Sequence, residues 1–302
     1  MRFSIWPGLQ QPWADVLEVA RHADATGWDG VYVADHFMGD GTSFGAVETS
    51  TLEATAALAA LAVATERVRL GTLVLGNTYR HPAVLANWAA TLDHVSGGRL
   101  LLGIGAGWQE NEHEQYGIAL PPPGDRLSRL DEACAVLRGL LREEHTTVRG
   151  KHYQLTDAVC EPKPVQDPLP LLIGGKGDRM LGIVAEHADE WNMWGLADVI
   201  AKRSAVLDQR CETIGRDPAT IARSAQALVL LTDDRAAADR FVEGAGGRAA
   251  IAGTTDDVAE AVAAWQAVGV DEVIVPDFSL GRGAKKLERM DALIEQVAPT
   301  FR

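Results

Sequence analysis

Cysteine is scarce in this sequence, and the three present cannot build a framework. Cys134, Cys160 and Cys211 are odd in number, lie far apart and form no C-x-x-C pair. That pattern speaks against a disulfide scaffold or a structural zinc site and predicts reduced, buried thiols in a cytoplasmic protein. Long apolar runs are missing too. The longest, "ATAALAALAVAT", is about a dozen residues, too short to cross a bilayer, and "MRFSIWPGLQ" lacks the core of a signal peptide. Basic charge is in deficit: 28 Lys and Arg against 42 Asp and Glu leave a net charge of −14. A surface of that sign repels nucleic acid and anionic lipid, so neither is expected as a partner and a small-molecule substrate is. A buried anion site made of backbone amides stays compatible with it. No H-x-H closes the first strand, and neither H-E-x-x-H nor G-x-S-x-G occurs, which leaves metal and serine hydrolases without support. Nothing in the sequence gathers the eight histidines as metal ligands, and the carboxylates form no legible acid/base pair.

What is present is a regular alternation. Short β-branched or apolar runs predict strands at Phe3–Trp6, Gly30–Ala34, Arg67–Gly76, Arg99–Ile104, Pro168–Gly175, Asp189–Gly195, Ile221–Leu231 and Asp271–Phe278. Helix-period segments lie between them, for example Val16, Val19, Ala20 and Ala23 ahead of Gly27, a natural C-cap. After the fourth strand comes a longer excursion: a polar loop with "LPPPGD", a helix bearing Leu127, Leu130, Cys134, Leu137 and Leu141, and a small hairpin around Arg149-Gly150. Eight strand–helix alternations without a composition break predict one domain over residues 1–302. The expected fold is an α/β (β/α)₈ barrel with an insertion between strands 4 and 5, and a doubly wound open sheet is the alternative.

The fourth strand runs into "LLLGIGAGWQENEHEQYG", with Gly103, Gly105 and Gly107 alternating. A dinucleotide fingerprint needs another glycine where Trp108 stands, and it belongs after a first strand. The better reading is a barrel strand pared of side chains at its C-terminal end, the active-site face of such folds. A flat ring could then press on the backbone, with Asn111 reaching back to it; relief of crowding inside the barrel is the plainer alternative. Other strand ends are equally suggestive. The fifth runs "LLIGGKGDRM" into a helix, so free amides of the Gly174-Gly175-Lys176-Gly177 turn, with Lys176 or Arg179, can cradle a phosphate. The second ends in Asp35-His36, and histidine is the side chain best suited to move a proton near neutral pH. Thr72, Asn77 and Thr78 fall near the same mouth, whereas Arg80-His81-Pro82 reads as structural, with Pro82 opening a helix.

Together "WDGVYVADHF", "RVRLGTLVLGNTYRHPAVLANWAATLDHVSGGRLLLGIGAGW", "NEHEQYG", "LLIGGKG" and "AEHADEWN" resemble the bacterial luciferase-like monooxygenase superfamily. Within it the chain is most similar to oxidoreductases that use the deazaflavin coenzyme F420. The resemblance implies hydride transfer between F420 and an organic substrate. FMN is the alternative cofactor, on a monooxygenase of the same fold, and a non-catalytic cofactor carrier is a further one. It also implies roles by position. Asp35 and His36 lie beside the deazaflavin ring, His36 as the proton donor or acceptor. A strand-3 bulge with a non-prolyl cis peptide at Leu73–Val74, leading into Gly76, backs the ring. Asn111 touches the coenzyme's polar edge, and Gly174, Gly175, Lys176 and Gly177 hold its phosphate. Trp108 replaces the Glu that the family's sugar-phosphate dehydrogenases carry after the strand-4 glycines. That argues against sugar-phosphate oxidation, removes the usual acid partner of His36, and makes Trp108 part of an apolar substrate wall with the loops Met38–Ser50 and Trp108–Asp125. A homodimer is implied by the resemblance alone.

Overall fold

The computed structural model describes residues 1–42 and 44–302, so of the predicted substrate-wall loops only Ser43 lies outside the described residues. Eight parallel strands carry the fold: β1 Arg2–Trp6, β2 Gly30–Val33, β3 Arg69–Thr72, β4 Leu100–Gly105, β5 Leu171–Gly174, β6 Glu190–Trp194, β7 Ala222–Gln226 and β8 Glu272–Pro276. They are hydrogen-bonded in the order β3-β2-β1-β8-β7-β6-β5-β4, and a β3–β4 pairing closes the barrel. Closure leaves no sheet edge, so strands apolar on both faces are stable here. Alternate residues of β4 divide accordingly. Leu100, Leu102 and Ile104 join the cluster under the helices, while Leu101 meets Trp6, Tyr32, Leu172 and Ile274 in the lumen.

The helices begin and end where the local chemistry directs. Trp13–Thr26 stops at Gly27 with φ 93°, and Pro82–Ser96 starts on Pro82 and stops at Gly97 in the left-handed region. The expected hairpin pairs Thr146–Arg149 with Gln154–Ala158. All three cysteines are buried and free. No helix among the described residues is long and apolar enough to cross a membrane.

Three expectations change. The loop after β4 is not simply polar: Glu110–Tyr116 forms a helix capped by Gly117. The long seventh strand breaks at Ala227, and its second half, Leu228–Leu231, pairs with Ala250–Gly253 in a separate two-stranded sheet. The run Ala250–Gly253 is too short and Ala-rich to announce itself. Finally, His187 does meet two carboxylates, Asp131 and Glu186, on the outer helices, with ligand atoms within 4.8 Å of one another.

The N-terminal end of the barrel is sealed by charge. Glu272 accepts hydrogen bonds from Arg2 (3.1 Å), Ser4 (2.5 Å) and Tyr32 (2.9 Å). Glu190 accepts from Arg69 (2.6 Å) and Arg2 (3.3 Å). Burial pushes the Glu190 carboxyl and the Tyr32 hydroxyl above their usual ranges; Arg69 opposes the first, and Glu272 reinforces the second. Two guanidiniums against two carboxylates leave this plug neutral, the condition under which buried charge is tolerated.

Candidate active site

The opposite end is built around a break in the third strand. After Thr72 the chain passes through a cis peptide at Leu73–Val74 and rejoins the sheet at Leu75–Gly76 beside Ile104–Gly105. The neighbouring glycines are shaped to that bulge. A Cβ on Gly103 would lie 1.9 Å from the Thr72 carbonyl oxygen, one on Gly105 2.7 Å from Val74, and one on Gly107 2.6 Å from the Thr78 hydroxyl. Relief of crowding, the plainer of the two readings, therefore accounts for β4. Its glycines admit the bulge, and Leu73 and Val74 of that bulge wall the mouth. Asp35 fixes the bulge from behind: its buried carboxylate accepts from the Gly76 N–H (3.0 Å) and from Arg80 (2.6 and 3.0 Å). Arg80 in turn reaches Glu53, so the Arg80 segment is structural in a specific sense: it neutralises Asp35.

Between this bulge and the end of β5 lies a cleft of about 270 Å³ lined by Leu73, Val74, Gly174, Gly175, Lys176, Met193, Trp194 and Gln226, among others. Its walls are apolar apart from a few polar groups, the character of small-molecule sites. The Gln226 side-chain oxygen is buried and without a hydrogen-bond partner. Gly175 adopts φ 140° beside Met180, and Gly177 starts the helix Asp178–His187 with no side-chain cap on its first amides. Lys176 is exposed and has no carboxylate partner among the described residues, whereas Arg179 is turned to the Gly124 carbonyl and Ser128 and Asp178 pairs with Arg203.

His36 stands on another wall of the mouth, where it lines a small cavity with Trp6, Ala34, Phe44 and Phe278. Its Nδ1 lies 3.0 Å from Glu112, a residue with no solvent exposure. This corrects the expectation that His36 lacks a partner acid: the acid comes from the unforeseen helix Glu110–Tyr116 rather than from position 108. Glu112 also accepts from the Phe37 N–H (2.9 Å) and the Tyr79 hydroxyl. Burial raises the Glu112 carboxyl, but the bonds from His36, Phe37 and Tyr79 outweigh it and hold the group below its usual range. Burial and the adjacent Glu112 push the Tyr79 hydroxyl far up. An ionised carboxylate ringed by donors can only accept, so Nδ1 carries the hydrogen that His36 gives to Glu112 and Nε2 is the ring nitrogen turned away from it. Trp108, 52% exposed, meets the His36 ring edge-on at 5.4 Å, and Phe44 lies 5.7 Å from it. Asn111 does not face the cleft: its amide donates to the Gly39 carbonyl at 2.8 Å and ties down the loop after β2.

The structure thus brings Leu73, Val74, Gly174, Gly175 and Lys176 together around one cleft. It sets His36 and Trp108 beside it, and puts Asp35, Gly76 and Asn111 in supporting positions. Glu112, Tyr79 and Gln226 escaped sequence reading. Glu112 has a faint signal, one carboxylate among three in "QENEHEQ", and only three-dimensional packing singles it out.

Comparison with known proteins shows the family and the fold. The family model described as luciferase-like monooxygenase matches residues 1–251. Uncharacterized protein Rv0953c of Mycobacterium tuberculosis is 31% identical over 245 residues, 80% of this chain and 76% of that one. The F420-dependent glucose-6-phosphate dehydrogenase of Amycolatopsis mediterranei is 35% identical over 175 residues, which cover 58% of this chain and only 50% of that protein. Among solved structures, an F420-dependent secondary alcohol dehydrogenase with an F420-acetone adduct superposes with TM-score 0.85 at 20% identity, covering 100% of this chain and 99% of that one.

Proposed function

The chain belongs to the luciferase-like monooxygenase family, and from that premise we propose an oxidoreductase that uses the deazaflavin coenzyme F420 to move a hydride to or from a small organic substrate. The observation that carries the reading is the cleft between the Leu73–Val74 bulge and the Gly174–Gly177 turn. Its residues fit a planar coenzyme with an anionic tail. Leu73, Val74 and the bare backbone of Gly174 and Gly175 offer a flat apolar seat. The unpartnered Gln226 oxygen would accept from a donor on the bound coenzyme, since a buried acceptor left unmade is costly. Lys176 and the uncapped amides after Gly177 suit a phosphate. F420 is favoured over FMN by the names of similar proteins, a glucose-6-phosphate dehydrogenase relative and an alcohol dehydrogenase neighbour.

Once bound, the deazaflavin supplies two-electron hydride chemistry. This chain's residues supply the rest. Glu112 keeps the Nε2 of His36 as the acceptor, so His36 takes a hydroxyl proton when an alcohol is oxidised and returns it when a carbonyl is reduced. Trp108 and Phe44 exclude water beside it and select a flat, apolar substrate.

Titration of the purified chain with F420 and with FMN tests the proposal. F420 binds at one equivalent and FMN does not displace it. FMN binding without F420 binding would instead identify a flavin monooxygenase.

A further inference from the structure

The segment leading into Ala250–Gly253 turns at Gly246 and Gly247, with φ of 61° and 79°, a conformation that glycine adopts without steric penalty. The turn delivers Arg248 over the ring of Phe44, its guanidinium carbon 5.8 Å from the ring centroid. Phe44 comes from the loop after β2, and its ring contacts those of His36 (5.7 Å) and Trp108 (5.9 Å). Arg248 therefore approaches the wall of the His36 cavity from the β7 side of the mouth.

Only one edge of this guanidinium is used: Nε donates to the Ala245 carbonyl at 3.2 Å. Nη1 is buried and has no hydrogen-bond partner. Two other buried or half-buried cations at this end of the barrel are matched, Arg80 by Asp35 at 2.6 Å and Lys286 by Asp277 at 2.6 Å. No carboxylate among the described residues pairs with Arg248. A buried donor without an acceptor is destabilising and calls for an explanation, of which a ligand is one. The Nη1–Nη2 edge carries two coplanar donors, the pattern that matches both oxygens of a carboxylate once the side chain turns out from its buried position.

We propose that Arg248 anchors the substrate, which is a flat, apolar carboxylic acid with its ring against Phe44 and Trp108 and its reacting end toward His36. The proposal rests on the reading that the His36 side of the mouth receives the substrate. It adds the charge that the substrate carries.

Calorimetric titration of the full chain with 2-naphthoate and with the uncharged 2-naphthamide tests it without turnover or coenzyme. The acid binds about tenfold more tightly than the amide, the scale of one charge-assisted pair. Arg248→Gln erases that preference and leaves amide binding unchanged, while Arg248→Lys retains part of it. Equal binding of the two probes, binding of neither, or a preference that survives Arg248→Gln overturns the assignment. F420 titrated into Arg248→Gln binds as it does to the unaltered chain. A comparable weakening there would place the guanidinium on the coenzyme and also overturn it. Failure of the coenzyme reading is visible separately, as absence of F420 binding to the unaltered chain.

Discussion

The two ends of this barrel use the same polar residue types to opposite effect. At the N-terminal end Arg2, Arg69, Glu190 and Glu272 pair among themselves, with Ser4 and Tyr32 completing the set. At the C-terminal end the pairing is selective. Asp35 and Glu112 are saturated with donors, yet Gln226 and Arg248 keep buried polar atoms with no partner. Removing charges from water costs several kcal/mol per ion unless they are matched. At the plug even Arg69, whose Nη1 has no hydrogen bond, keeps a carboxylate 3.7 Å away, whereas no carboxylate among the described residues pairs with Arg248 at the mouth. On the proposed reading the sealed end stabilises and the open end binds.

The comparison can be broken most forcefully at the seal. Glu272→Ala leaves Arg2, Arg69 and Tyr32 facing one another without their shared acceptor, and unfolding in urea should report a loss of about 3–5 kcal/mol. F420 affinity of the folded fraction should not change, and a parallel loss of affinity would mean that the two ends are not independent. At the open end the pattern reverses. His36→Ala should lower turnover by about a hundredfold or more with little change in melting temperature.

Glu112→Gln falls between these, because it acts through His36 while also removing a buried charge. Turnover should drop about tenfold, and stability by about 1.5–3 kcal/mol for the lost charge-assisted bonds. The folded Glu112 carboxyl is held below its ordinary value of about 4.5. Its contribution is therefore complete above that pH and lost as pH falls through the lowered folded value. Acid unfolding of Glu112→Gln should lack that component, and an unchanged acid limb would show that Glu112 is not ionised in the native protein. Lys176→Ala gives the smallest effect, a weakening of F420 binding by about twofold to fivefold from an exposed charge near a helix N-terminus, checked by titration at low and high salt.

Periodicity reveals the barrel because each of its strands is a local apolar run and each helix a local 3.6-residue pattern. Motif spacing likewise exposes the Gly174–Gly177 turn at the cleft, since a glycine-rich strand-to-helix turn is contiguous in sequence. What stays hidden is anything assembled across strands. Glu112 reaches His36 over 76 positions and Tyr79 over 33, and no local signal marks either pair. The glycines of β4 mislead for the same reason: the groups that need their space, the Thr72 carbonyl and the Val74 side chain, lie on the neighbouring strand. Resemblance to a family located the Leu73–Val74 bulge where composition and spacing could not.

Hydrogen–deuterium exchange of the full chain with and without F420 tests the division of labour between the ends most directly. Slowed exchange confined to peptides spanning Leu73–Gly76 and Gly174–Met180, with Arg2–Ser4 and Glu272–Val273 unchanged, is the predicted result. Protection at the N-terminal plug, or none at the bulge and the glycine turn under saturating coenzyme, contradicts it.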